Sequence, residues 1–321
     1  MNAVRSLGTT GLQLTTLGFG GGPIGWRTAP DVDREAEALF DAAWDNGIRY
    51  FDTAPYYGYG NSERRTGRGL ARRPRDSFVL STKVGRLVRP RFPGDRDEAQ
   101  IVYDYSRDGA MQSLEESLDR LQLARVDIAL IHDIDRWTHG DAQPARFREA
   151  LDGAYRALSD LKSAGVIRAI GLGVNEWEVC RAFAAAAPVD CFLLAGHNTL
   201  LRHEARREFL PFCLERGIGV IVGGPYNSGI LASGAVPGAQ FDYAPASAAV
   251  LDHVRKIEAV CARYGVPLAA AALNFTLQHP AVAAVIPGVA TVGELESTVA
   301  NCRHLVPPEL WTSLKNEGLM E

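Results

Sequence analysis

The stretches FVLSTK (78–83), RDGAMQSLEESLDRL (107–121) and DIALIH (127–132) follow one another as strand, helix and strand. The first and third are short β-rich runs. The middle one places Met111, Leu114, Leu118 and Leu121 on one stripe at helical spacing, and Ser106 stands where an N-cap belongs. Two strands joined by a helix form a β–α–β unit with parallel strands.

The same unit recurs on both sides. Strands are expected at 16–19, 49–52, 78–83, 127–131, 168–173, 191–195, 219–223 and 282–286. In DREAEALFDAAWD (33–45), Ala36, Leu39, Phe40 and Ala43 share a face. Further helices are expected at 146–164, 176–186, 204–216, 248–264 and 292–302, with another after Pro307. VRSLGTTGLQLTTLG (4–18) reads as a hairpin turning at GTTG. The fold class is therefore α/β. The arrangement is a (β/α)8 TIM barrel with an N-terminal β-hairpin and a C-terminal helix, a single domain over 1–321. A doubly wound open sheet is the rival, and it normally carries G-x-G-x-x-G after its first strand. GFGGGPIGW (18–26) and GLGVNE (171–176) both miss that pattern, and no helix is expected directly after the first. Three long connections, 84–105, 132–145 and 224–247, all leave strand C-termini, the face where barrel active sites lie.

Among the 321 residues, 34 Lys and Arg face 38 Asp and Glu, for a net charge of −4. That balance speaks against a nucleic-acid footprint. Cys180, Cys191, Cys213, Cys261 and Cys302 are scattered, which fits neither a disulfide framework nor a zinc site. They read as reduced thiols. MNAVRSLGTTG has no signal-peptide core, and no 18-residue apolar run spans a membrane, so a cytoplasmic protein is expected. The basic run RLVRPRFPGDR (86–96) reads as a solvated loop, with an anion-binding loop beside an active site as its other reading.

Polar residues cluster at strand ends. Asp52 ends the second strand, Lys83 the third, and His132 follows the fourth, while Tyr57 lies in the loop after Asp52. A tyrosine phenol titrates near 10, and a neighbouring ammonium favours its phenolate. Lys83 is expected to lower Tyr57 in this way, with Asp52 orienting Lys83 and His132 bonding the substrate oxygen. Such a group moves protons at a carbonyl or alcohol. It contains no nucleophile, metal or electron sink, so it needs a hydride partner such as nicotinamide.

FDTAPYYGYGNSE (51–63), STK (81–83) and HD (132–133) resemble the aldo-keto reductase signature, and the likeness runs from LGTTGLQLTTLGFG (7–20) to IPGVATVGELESTVAN (286–301). The resemblance implies a barrel binding NAD or NADP without a Rossmann fold, with Asp52, Tyr57, Lys83 and His132 as catalytic tetrad. HDIDRWTHG (132–140), GLGVNEW (171–177), FLLAGHNTLL (192–201) and GGPYNSGIL (223–231) are similar to the aldose 1-dehydrogenase branch and the related pyridoxal 4-dehydrogenases. That narrower likeness implies oxidation of a cyclic hemiacetal, of an aldose first and of pyridoxal as the alternative, to a lactone; a generic aldehyde or ketone reductase is the third reading.

Implied cofactor contacts fall on Gly20, Gly21, Asn175, Pro225, Tyr226, Asn227, Ser228, Gly229, Leu231, Ile286, Gly288, Val289, Thr291, Glu294 and Thr298. Three positions depart from the family pattern: Val174 replaces a serine, Ala195 a glutamine and Gly223 an aromatic. Where NADP-preferring members carry a lysine and an arginine, this chain has Gly288 and Glu294. NAD is therefore the expected cofactor, with NADP possible. Trp26, Tyr59 and Trp137 are candidate substrate contacts. Asp133 and Asp135 either bind substrate hydroxyls or cap the next segment. A cofactor-sensing regulatory subunit and a metal-dependent hydrolase are the other classes. The full tetrad disfavours the first, and the lack of clustered ligands, with no metal site expected, disfavours the second.

Overall fold

The computed structural model describes residues 3–91 and 99–320. Eight strands form one parallel sheet: Phe19–Gly20, Tyr50–Asp52, Val79–Val84, Ile128–His132, Ala169–Val174, Cys191–Ala195, Gly219–Gly223 and Val282–Ile286. They are ordered in space as in sequence. Bridges from Leu17 to Val285 and from Gly20 to Gly288 join the last strand to the first and close the barrel. The first strand is the shortest, regular only at Phe19–Gly20 where 16–19 is expected.

Side chains on alternate strand positions divide between two cores. Tyr50, Ile128, Leu130, Leu193 and Ile221 fill the barrel with Leu7, Leu12 and Leu14 of the hairpin Val4–Ser6/Gln13–Thr15. That hairpin docks at the strand N-termini, where Thr9 N–H donates to Gly217 O at 3.0 Å. Phe51, Leu80, Ala129, Ile131 and Leu172 face outward against the ring of helices. Ser106 caps Arg107–Leu121 as expected, accepting from Gly109 N–H at 3.1 Å.

Several elements differ from expectation. The helix expected at 146–164 is three pieces: Gln143–Glu149, a π-helical turn Ala150–Ala154, and Tyr155–Ser163. The extra residue turns Ala154 N–H to Tyr105 O at 2.8 Å, and a Cβ on Gly153 would lie 2.5 Å from that oxygen. The helix expected at 204–216 is a 3-10 turn, Glu204–Arg206, followed by Phe209–Glu215. Pro211 has no N–H and tolerates only the first turn, so the helix starts late.

Helices Asn61–Leu70 and Leu268–Leu277 have no counterpart among the expected elements. The first is masked by Gly67 and Gly69, where close packing excludes a side chain: a Cβ at Gly67 would lie 2.0 Å from Leu121 O. The second is apolar on nearly every face and buried, so it shows no amphipathic period. A one-turn helix, Gly22–Trp26, does follow the first strand. Within the connection 84–105, Arg86–Pro90 pairs antiparallel with Ala99–Tyr103. Part of the basic run lies outside the described residues. Among the described residues no single helix is long and apolar enough to cross a membrane.

Candidate active site

Parallel register brings the strand-end groups together. Asp52 lies opposite Ser81, and Lys83 is two residues further along the same strand, on the same face. Ser81 Oγ donates to Asp52 Oδ1 at 2.7 Å, and Lys83 Nζ donates to Asp52 Oδ2 at 2.6 Å and to Thr53 O at 3.0 Å. Gly173 on the fifth strand leaves room for the lysine stem: a Cβ there would lie 3.1 Å from Lys83 Cε.

Tyr57 is held from the other side. Helix Gly22–Trp26 presses on its loop so closely that a Cβ on Gly58 (φ +60°) would sit 1.9 Å from Gly25 O. Only glycine fits that left-handed, crowded position. Ser62 Oγ donates to Gly21 O at 2.7 Å and anchors the loop's far end. The Tyr57 ring lies 4.8 Å from Lys83 Nζ, and its centroid is 6.0 Å from that of the His132 ring, at 89°.

Electrostatics refine the expected chemistry. Burial works against the Lys83 charge, but the attraction of Asp52 and Tyr57 and hydrogen bonds to both outweigh it, so its pKa rises above that of an ordinary lysine. The expected lowering of Tyr57 does not prevail: burial pushes its phenol up by more than Lys83 pulls it down. His132 is driven well below the usual imidazole range by burial and by the nearby Arg86 and Lys83 cations, so it is neutral. Its Nδ1 is buried without a hydrogen-bond partner, and Nε2 lies 3.3 Å from Asp133 Oδ2.

These groups open on a cavity of about 970 Å3 at the strand C-termini. Asp52, Tyr57, Lys83 and His132 line it. So do Gly20, Asn175, Pro225, Tyr226, Asn227, Ser228, Gly229, Ile286, Gly288, Trp26 and Trp137. The remaining expected contacts lie outside its wall. Gly21 N–H is bonded to Asp52 O at 2.8 Å; Leu231 and Val289 are core residues; Thr298 is buried. Thr291 caps Val292–Arg303, and Glu294 Oε2 accepts from Ala290 N–H at 2.7 Å. Tyr59 is exposed and packs edge-on against Trp26, 5.4 Å away.

Parts of the wall are open and carry unpartnered polar groups. A Cβ at Gly22 or Gly229 would meet nothing within 4 Å, so both glycines border open space. Asn227 Nδ2 donates to Gly196 O at 2.9 Å, while its buried Oδ1 has no partner. Asn175 is partly engaged, donating from Nδ2 to Asp133 Oδ1 at 3.2 Å. Among the described residues no three His, Cys, Asp or Glu side chains gather as metal ligands.

The cavity also holds residues that reading the sequence did not single out. Tyr56, Tyr103 and Tyr243 line it. Arg86 lines it as well, only 5% exposed, which overturns the solvated-loop reading at that residue. Its signal was its place three residues after Lys83, hidden inside a run of surface-like arginines. The two aspartates separate: Asp133 faces the cavity, whereas Asp135 caps the next segment, accepting from Thr138 N–H at 3.0 Å and from Asn175 N–H at 2.7 Å.

The Aldo/keto reductase family profile matches residues 16–316, and the chain belongs to that family. It is an NAD(P)-dependent oxidoreductase. It is 40% identical to a pyridoxal 4-dehydrogenase of Microbacterium luteolum, covering 98% of this chain and 97% of the relative. It is 35% identical to a D-threo-aldose 1-dehydrogenase of a Pseudomonas species (97% and 96%) and 30% identical to an L-galactose dehydrogenase of Arabidopsis thaliana (94% and 88%). The holo aldo-keto reductase of Bacillus halodurans superposes with a TM-score of 0.79 at 24% identity, covering 100% of this chain and 97% of that one.

Proposed function

We propose that this enzyme oxidises the hemiacetal carbon of a cyclic hemiacetal to a lactone. The observation that carries the reading is the buried Asp52–Lys83 pair beneath Tyr57, with His132 across the same cavity. Tyr57 is the proton-transfer group. Lys83, held charged by Asp52, stabilises the phenolate that forms when the phenol gives up its proton. Neutral His132 orients the substrate oxygen. Gly20, Asn175, Asn227, Gly229 and Gly288 hold the nicotinamide cofactor, which supplies the hydride acceptor when bound. In oxidation Tyr57 takes the hydroxyl proton; in reduction it returns one.

An aldose is the first substrate class, supported by likeness to the aldose 1-dehydrogenase and the L-galactose dehydrogenase. Pyridoxal, itself able to close a hemiacetal, is the second. The 40% identity to a pyridoxal 4-dehydrogenase favours it, and Trp26, Tyr56 and Trp137 offer ring faces in the cavity for either substrate. NAD is the preferred cofactor, and the five free cysteines suit a reducing cytoplasm.

A panel of free aldoses and pyridoxal, with NAD and with NADP, tests this by following absorbance of the reduced nicotinamide. L-Fucose, L-galactose or D-arabinose should give a lactone that then opens to the acid. Turnover of pyridoxal at least tenfold above every sugar in kcat/KM would replace the aldose reading by the pyridoxal one. Turnover of open-chain aldehydes alone would sink both.

A further inference from the structure

We propose that Arg86 and Asp133 form a substrate-recognition subsite that holds a hydroxyl on the atom next to the reacting carbon. The proposal rests on the tetrad roles above and names what the cavity recognises beside them. Arg86 sits in the hairpin that leaves the third strand, and Asp133 directly follows His132. Arg86 Nη2 lies 2.5 Å from Asp133 Oδ2. The guanidinium is clamped between rings, 4.5 Å from the Tyr56 centroid and 5.2 Å from that of Tyr103.

Some pairs that join elements here are satisfied on all sides, although Arg73, paired with Asp41, leaves its Nε buried without a partner. Arg75 donates from Nε to Arg125 O, from Nη1 to Phe78 O and from Nη2 to Asp127 Oδ2. Arg120 gives Nε to Glu63 and Nη2 to Ser117. Arg86 likewise leaves its buried Nε without a hydrogen-bond partner, but unlike Arg73 it belongs to the cavity wall.

Asp133 is unusual in its backbone too. Its φ of +49° lies in the left-handed region, which a non-glycine residue occupies uncommonly and often at functional sites. That turn keeps the carboxylate on the cavity while Asp135 turns away to cap. A guanidinium beside a carboxylate offers a donor and an acceptor together. A hydroxyl answers both, accepting from Arg86 and donating to Asp133. The position follows from His132, whose Nε2 is 3.3 Å from Asp133 Oδ2. An oxygen that accepts from His132 therefore has Asp133 within reach of the neighbouring substituent.

Lactaldehyde and propanal differ only in this hydroxyl, and their reduction does not depend on hemiacetal chemistry. An aldose and its 2-deoxy counterpart repeat the comparison in oxidation. The wild type should favour each hydroxylated substrate by roughly tenfold to a hundredfold in kcat/KM, the range of a charge-assisted hydrogen bond. In Asp133→Asn and Arg86→Lys that preference should collapse toward one, with affinity for the reduced cofactor, read by its fluorescence, kept. An unchanged preference in both variants, or an equal fall for both substrates of a pair, overturns the proposal. Because lactaldehyde and propanal report in reduction, failure of the hemiacetal reading leaves this readout intact.

Discussion

At the scale of single residues, the tetrad proposed above is a device for changing the charge of one phenol. Burial alone would keep Tyr57 protonated far into alkaline pH, and the Lys83 cation pulls the other way. The resting group is thus a phenol, ready to donate in reduction and in need of a deprotonation step in oxidation. Tyr57→Phe keeps the ring and removes the proton carrier. We expect kcat to fall roughly 10²- to 10⁴-fold, the usual contribution of general acid–base catalysis, with cofactor affinity nearly unchanged. The wild-type oxidation rate should climb with pH on the alkaline side as the phenol ionises, and the variant should lose that climb. Retention of most of kcat in the variant would remove Tyr57 from its role.

At the scale of elements, the helix Val292–Arg303 matters most to the proposed cofactor choice, because it follows the last barrel strand and helix N-termini attract phosphate. Thr291 and Glu294 close that end as a cap, so the Glu294 carboxylate is fixed there by Ala290 N–H. With the ribose placed at this helix end, as the proposed NAD preference requires, a second phosphate on it would meet this negative charge. One cation near this end is Arg27, which donates from Nη1 to Ala290 O at 2.9 Å and is paired with Glu35 at 2.7 Å. Arg202 and Arg206 are engaged elsewhere: Arg202 with Asp242, and Arg206 with Phe275 O. We expect NAD to be preferred over NADP at least tenfold in kcat/KM, about 1.4 kcal/mol of discrimination. Glu294→Arg should narrow that ratio while loosening the helix end by about 0.3–1.5 kcal/mol. Equal use of both cofactors by the wild type would end the argument and point to Arg27 as the phosphate's partner.

For the whole molecule, chemistry and stability occupy opposite ends of the barrel. The strand C-termini carry the cavity, and the N-terminal hairpin fills the floor with Leu7, Leu12 and Leu14, all essentially unexposed. Leu12→Ala leaves a void among rigid strands and should cost about 2–5 kcal/mol in urea unfolding. Its kcat/KM, measured where the variant is still folded, should match the wild type. A loss under 1 kcal/mol, or a large kinetic defect, would show that the two ends are not separable in this way.

The alternation of short apolar runs with amphipathic ones, with no G-x-G-x-x-G after the first strand, was enough to favour the barrel over an open sheet, because period, order and motif are local properties of the chain. Asp52, Lys83 and His132 were legible for the same reason: each ends an apolar run, and parallel strands carry their ends to one rim. What the sequence could not show lies in contacts between distant segments. Gly67 and Gly69 look like helix breakers until Leu121 and Phe40 are seen pressed against them. Ala154 leaves helical register only because Tyr105 O stands beside it. Arg86 reads as one arginine in a charged run, yet the hairpin register sets it opposite Tyr103 and the fourth strand brings Asp133 to meet it. Arg27 gained its place beside Ala290 the same way, through barrel closure. Sequence patterning decided which residues face inward, and tertiary packing decided which of them meet, because burial and pairing depend on neighbours the linear order does not name.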